Sequence, residues 1–229
     1  MRFTLSVIFS AVILAVLVSL GLWQVRRLAW KEAYLADLQA RIAAAPVELP
    51  ARPDPARDQY LPVEVSGTLS GEGLQVLAST RDAGAGYRII RVLETDGGRR
   101  VMADLGFESI ESHEKPRLTG PIRVIGNLHW PDEVDSWTPA PEPDKGLFFA
   151  RDVPVLADAL GTEPLLIVAR ATEPPVAGVQ PLPVSTESIP NRHLEYVFTW
   201  FAFAFIWSVI SFVMLRRIRL KRTRSQKGT

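Results

Sequence analysis

The chain has 229 residues, 47% of them hydrophobic, and a formal charge of only +1. It contains no cysteine, which excludes disulfides, thiolate metal sites, iron-sulfur clusters and the Cys-x-x-Cys-His attachment of a c-type haem. The near-neutral total hides a partition: residues 26–196 hold 18 basic against 25 acidic residues, a net of −7, whereas the segment after Leu215 holds seven basic residues and no acid.

In chain order, residues 3–25 are uncharged for 23 positions, long enough for a helix that crosses a bilayer. A secretory signal competes with this reading. The run is too long for one, lacks a small-x-small cleavage pattern and ends in Leu22-Trp23-Gln24, which suits an interfacial anchor. Residues 1–25 are therefore expected to form an uncleaved first transmembrane helix. Leu28, Leu35, Leu38 and Ile42 recur at helical spacing, so the helix is expected to extend over 26–44 until Pro46 ends it. All 18 prolines lie between Pro46 and Pro190, and 46–55 reads as an extended connector.

Beyond the connector the hydrophobic period changes to two. Segments 60–69, 74–79, 87–94, 99–107, 122–128 and 165–171 are short and rich in Val, Ile and Leu, as strands are. Asp96-Gly97-Gly98 predicts a hairpin, 153–160 a short helix and 131–143 an exposed loop. The 171 residues of 26–196 suffice for one domain with its own core. The expected fold class is thus an α+β membrane protein, with two transmembrane helices flanking an antiparallel, barrel-like, β-rich extracytoplasmic domain that carries one short helix.

Most of this domain offers no chemistry. Gly84-Ala85-Gly86 lacks the Lys-Ser/Thr of a phosphate loop and reads as a turn. There is no Gly-x-Ser-x-Gly elbow and no His-Glu-x-x-His, so hydrolase readings have no anchor and no catalytic residue is assigned. Glu108, Glu111 and Glu114 read as a solvated loop, and the acidic domain lacks the basic stripe that nucleic acid would require. His113 sits in a polar turn. His129, at a strand end, is expected to pack or lie at the surface rather than bind a metal.

His193 differs by position. It lies just before residues 197–215, a second uncharged run of 19 residues, and so at the expected boundary of water and lipid. If Asn191 caps this helix, His193 falls in its first turn, and Val197, Trp200 and Ala204 continue its face as an apolar stripe. Two readings stand. Tyr196, Trp200 and Trp207 are ordinary interfacial anchors with His193 bonded to a headgroup or the domain, or His193 is an axial ligand of haem iron with the stripe of Val197, Trp200 and Ala204 against the porphyrin.

The basic segment 216–229 belongs on the cytoplasmic side, which places both termini in the cytoplasm and the acidic domain outside. Arg26, Arg27 and Lys31 after the first span argue the other way, but the tail carries the larger asymmetry.

Pro190-Asn191-x-His193-Leu194-x-Tyr196-x-x-Thr199-Trp200-Phe201 resembles the C-terminal motif of the surfeit-locus cytochrome c oxidase assembly factors. Gly21-x-Trp23-Gln24-x-x-Arg27-x-x-x-Lys31 resembles that family's N-terminal motif, and Gly86-Tyr87 and Phe148-Phe149-Ala150-Arg151-Asp152 resemble two further segments in the same order. Where the family has Asn-Arg-Gly-Trp this chain has Asp104-Leu105-Gly106-Phe107, losing a cation that could hold a carboxylate such as a haem propionate; Val197 replaces a common alanine. The resemblance implies a non-enzymatic, two-span assembly factor of an inner membrane, and the lack of an Arg- and Ser-rich presequence favours a bacterial one, with a periplasmic domain. It would assist haem a delivery to the catalytic subunit of a haem-copper oxidase, with haem a at His193, Tyr196 and Trp200. The alternative is an interaction module that holds the catalytic subunit or the haem a synthase without touching haem.

Overall fold

The computed structural model describes residues 2–81, 83–111, 119–187 and 189–226. His113, with Ser112, Glu114 and Lys115, lies outside the described residues, as does Lys227 of the basic tail. The chain divides into two units: residues 1–37 with 187–229, and Leu38–Thr186.

The first unit is a pair of long helices. Helix α1 spans Arg2–Ala43 without interruption, because no proline precedes Pro46. Its partner, described last in the chain as α4, spans His193–Gln226, so the helix does not stop at Leu215 but runs on through basic residues. Both are long and apolar enough to cross a membrane. Their apolar side chains are largely uncovered: Phe9 is 60% exposed, Phe205 71% and Phe212 68%. A helix belonging to a water-soluble core would bury those rings, whereas lipid contact costs them nothing.

The second unit begins with the end of α1, whose Ile42 carbonyl has no helical partner and accepts from Asn127 Nδ2 at 2.9 Å and from Arg170 Nη1 at 3.4 Å. The expected connector holds a two-residue strand β1 (Val47–Glu48) and leads at Pro55 into one turn of helix α2 (Pro55–Asp58). Then come β2 (Pro62–Thr80), β3 (Gly84–Thr95), β4 (Arg100–Ser109), β5 (Thr119–Leu128), β6 (Leu147–Phe148), α3 (Val153–Leu160) and β7 (Leu166–Glu173). Two expected strands, 60–69 and 74–79, are one: β2 passes through a register shift between Leu69 and Gly73 and continues.

The sheet runs β2-β3-β4-β7-β5, and β5 pairs again with β2, so five strands close into a ring. Most pairings are antiparallel, as expected, but β7 lies parallel to β4 (Met102 opposite Leu166) and the short β1 and β6 lie parallel to β2. The expected β3–β4 hairpin forms: Thr95 N donates to Arg99 O at 2.8 Å and Gly98 takes φ +79. Helix α3 forms over the expected residues, begun by Asp152, whose Oδ1 accepts from Val155 N, and ended by Gly161 at φ +60.

Alternation along the strands builds two cores. Val101, Ala103 and Leu105 of β4 join Val63, Ile89, Val124 and Ile167 inside the ring. Met102, on the other face, joins Ile90, Leu166 and Val168 beneath Leu156 of α3. Central strands are thus buried on both faces, and each fully buried Leu or Ile contributes about 1.5–3 kcal/mol.

Candidate functional site

Within the helix pair, hydrogen bonds near both ends of the apolar runs set the register. Trp207 Nε1 donates to Ser10 O at 3.1 Å, and His193 Nδ1 lies 2.9 Å from Gln24 Oε1. From Ser10 to Gln24 and from His193 to Trp207 are fourteen residues on each helix, close to four whole turns, or about 21 Å. Both contacts therefore fall on one face of each helix, and the helices run antiparallel. Between them Gly21 admits the Phe201 ring, to which an added Cβ would come within 3.0 Å. Gln24, the one strongly polar side chain at the end of the first apolar run, is only 8% exposed.

The structure places the three expected site residues on this helix in different settings. His193 is half-buried and opens α4. Its other ring nitrogen, Nε2, has no hydrogen-bond partner among the described residues. Tyr196 is 51% exposed. Trp200 is half-buried with its ring edge-on to Phe203 at 6.2 Å. The stripe expected to face a porphyrin is in part the packing face: Ala204 is buried, on the side that carries His193 and Trp207 to α1. The Asn191 cap is not made, since its Oδ1 is buried without a hydrogen-bond partner. Near the same end of α1 stands a ladder that sequence reading missed. The Arg27 guanidinium lies 4.1 Å from the Trp30 ring centre, Trp30 stacks on Tyr34 at 5.9 Å, and Lys31 Nζ lies 5.6 Å from Tyr34.

The ring domain holds a separate polar cluster. Arg88 of β3 bonds Asp104 of β4 at 2.6 Å, both buried, and passes its Nη2 to Leu182 O at 2.8 Å. Arg151 approaches the same carboxylate at 3.5 Å and bonds Glu133. Asp104 Oδ1 also accepts from Gly106 N at 3.2 Å. Two cations thus meet two anions, and the group is neutral. Leu105, where the resembled family carries arginine, is buried in the inner core.

His129 borders this cluster and is packed, as expected. Its ring stacks on Tyr60 at 5.3 Å, and Nδ1 lies 3.2 Å from Gln59 Nε2. Burial, reinforced by Arg151 and Arg88 and opposed by Glu133, holds its pKa down at about 4. Below pH 6.5 the unfolded chain takes up a proton that the folded ring refuses. Stability from this group is therefore complete above about pH 6.5 and is lost as pH falls toward 4, by about 2 kcal/mol after allowance for partial exposure. Glu133, which burial alone would raise but Arg151 holds low, adds its loss only in more acid solution. Denaturant midpoints measured across pH 7 to about 4 should slope downward in the native protein and lie nearly flat in His129→Gln.

Residues 11–205 match the SURF1 family, which spans most of the chain. The chain belongs to that family.

It is similar to the protein named Surfeit locus protein 1 from Homo sapiens, 28% identical over 221 residues covering 82% of this chain and 71% of the relative. The rat protein of that name, from Rattus norvegicus, is 27% identical over 218 residues, covering 82% and 70%. A SURF1-like protein of Drosophila melanogaster is 27% identical over 228 residues, covering 87% and 75%. For a SURF1-family chain the geometry has a simple meaning. The motifs quoted from its two ends meet, Gln24 of the first touching His193 of the second. Two internal segments meet likewise, Arg151 of one reaching Asp104 of the other.

Proposed function

We propose that this protein takes part in cytochrome c oxidase assembly by holding haem a at His193 for delivery to the oxidase's catalytic subunit. Membership in the SURF1 family supports the assembly role. The observation that carries the haem reading is a half-buried imidazole at the start of the second apolar helix, one of whose nitrogens has no hydrogen-bond partner among the described residues.

The donor set suits haem better than a bare ion. Among the described residues no three His, Cys, Asp or Glu side chains gather as a metal cluster. A single imidazole is a poor cage for a free ion, but it is sufficient for an iron whose four equatorial nitrogens come from a macrocycle. Tyr196, exposed on the flank beside His193, and Trp200 offer aromatic surface to such a plane. Haem a would be cargo here, and the protein's part is to bind and orient it at the membrane surface. The proposed setting is a bacterial inner membrane, and the charge partition supports an orientation with the acidic domain outside and the basic end of α4 beside anionic cytoplasmic lipid.

A second reading is an interaction module that holds the catalytic subunit or the haem a synthase without contacting haem. It is favoured by Trp137, 89% exposed on a turn fixed by Asp135 Oδ1, which accepts from Trp137 N at 2.8 Å and from Thr138 Oγ1 at 3.0 Å. The full-length protein co-expressed with haem a synthesis and purified in detergent decides between them. Haem a absorption should accompany the native chain and fall about tenfold or more in His193→Ala. An unchanged spectrum removes His193 from the mechanism.

A further inference from the structure

We infer that Gln24 is a positioning residue that fixes the tautomer of His193, keeping the proton on Nδ1 and presenting a bare Nε2 to iron; this rests on the haem reading above. The contact is His193 Nδ1 to Gln24 Oε1 at 2.9 Å. An amide oxygen only accepts, so Nδ1 donates, and a neutral imidazole that donates from one nitrogen keeps its lone pair on the other. The tautomer of a free imidazole is mixed. A metal-binding nitrogen is made available by the hydrogen bond its neighbour makes, and here a buried amide supplies it.

The placement is constrained from both sides. Gln24 is buried and belongs to a helix whose register against α4 is set fourteen residues away by Trp207 on Ser10 O at 3.1 Å. Gly21, one turn earlier on the same face, lets Phe201 close against α1. The amide therefore reaches His193 from a rigid element rather than a loop. The Nδ1 side of the ring faces protein, and Nε2 has no partner among the described residues.

The test uses full-length protein in detergent micelles, first without haem. Long-range proton–nitrogen NMR of isotope-labelled histidines at about pH 8 reads the tautomer directly, and His193→Ala assigns the signal. The native chain and Gln24→Glu, which retains an acceptor, should show Nδ1 protonated and Nε2 bare; Gln24→Leu should shift the ring to a mixture with most of the proton on Nε2. In haem a co-expression Gln24→Leu should retain about tenfold less haem. Gln24→Glu should retain it with a lowered reduction potential. Trp207→Phe, which removes the interhelical bond to Ser10 O, should change neither tautomer nor retention, whereas a merely structural Gln24 predicts equal losses from both. A native chain protonated at Nε2, or a tautomer unmoved by Gln24→Leu, overturns the inference and leaves the haem reading standing if His193→Ala still loses haem. Undiminished retention in Gln24→Leu despite a moved tautomer also overturns it. Undiminished retention in His193→Ala overturns both.

Discussion

Asp104→Ala should lower the stability of the ring domain by about 3–5 kcal/mol, the usual loss when one partner of a buried ion pair is removed. Asp104 is wholly buried and answers Arg88 at 2.6 Å and Arg151 at 3.5 Å. Without it, the buried Arg88 and half-buried Arg151 guanidiniums face Glu133 alone, and the Gly106 N–H loses its acceptor. In thermal melts of the detergent-solubilised chain the domain transition should fall by roughly 10 °C. Asp104→Asn keeps an acceptor for Gly106 but not the charge, and should lie between Ala and native. Arg88→Met with Asp104→Leu removes both charges and leaves Arg151 paired to Glu133, so it should recover most of the loss. A double variant as unstable as Asp104→Ala would mean that the pair acts through shape rather than charge.

Gly106→Ala should cost about 3 kcal/mol, from two causes that add at one position. Gly106 sits in a bulge, where Leu105 and Gly106 of β4 together oppose Ile89 of β3. Its φ is +129, and a Cβ there would lie 2.2 Å from Gln180 O. The next residue, Phe107, exchanges two hydrogen bonds with Gln180, at 2.7 and 2.8 Å. The methyl group must push this strap away, so amide exchange at Phe107 and Gln180 should accelerate with the fall in melting temperature. Gly98→Ala is the control. Its φ is +79 but nothing lies within 4 Å of the added carbon, so only conformational strain applies, about 1 kcal/mol.

The sequence made some of this legible and hid the rest for identifiable reasons. Period-two runs marked the strands because one side chain in two enters a core, and α3 was readable from Asp152, Pro154 and Gly161 around a short apolar stretch. Gly71-Glu72-Gly73 broke the alternation and read as a gap, when it is a register shift inside β2. Periodicity carries no direction, so the parallel seat of β7 beside β4 was invisible. At the candidate site, His193 stood out because it abuts an uncharged run. Its partner Gln24 lies 169 positions away, and only helix pairing joins them. Asp104 read as a departure from a motif; its meaning depends on Arg88 across a hairpin and Arg151 from a distant loop.

The closure of the ring has a temporal side. Among the described residues β7 is the last strand made, and it alone lies between β4 and β5 in the sheet. A chain interrupted anywhere before Leu166 leaves β4 and β5 each with a bare row of backbone donors and acceptors, open to whatever other strand it meets. The domain is complete only about twenty residues before the second apolar helix begins at His193. Its folding thus waits on the synthesis of β7, and a stop before Leu166, even one that spares most of the core, removes the seam as well as the second helix.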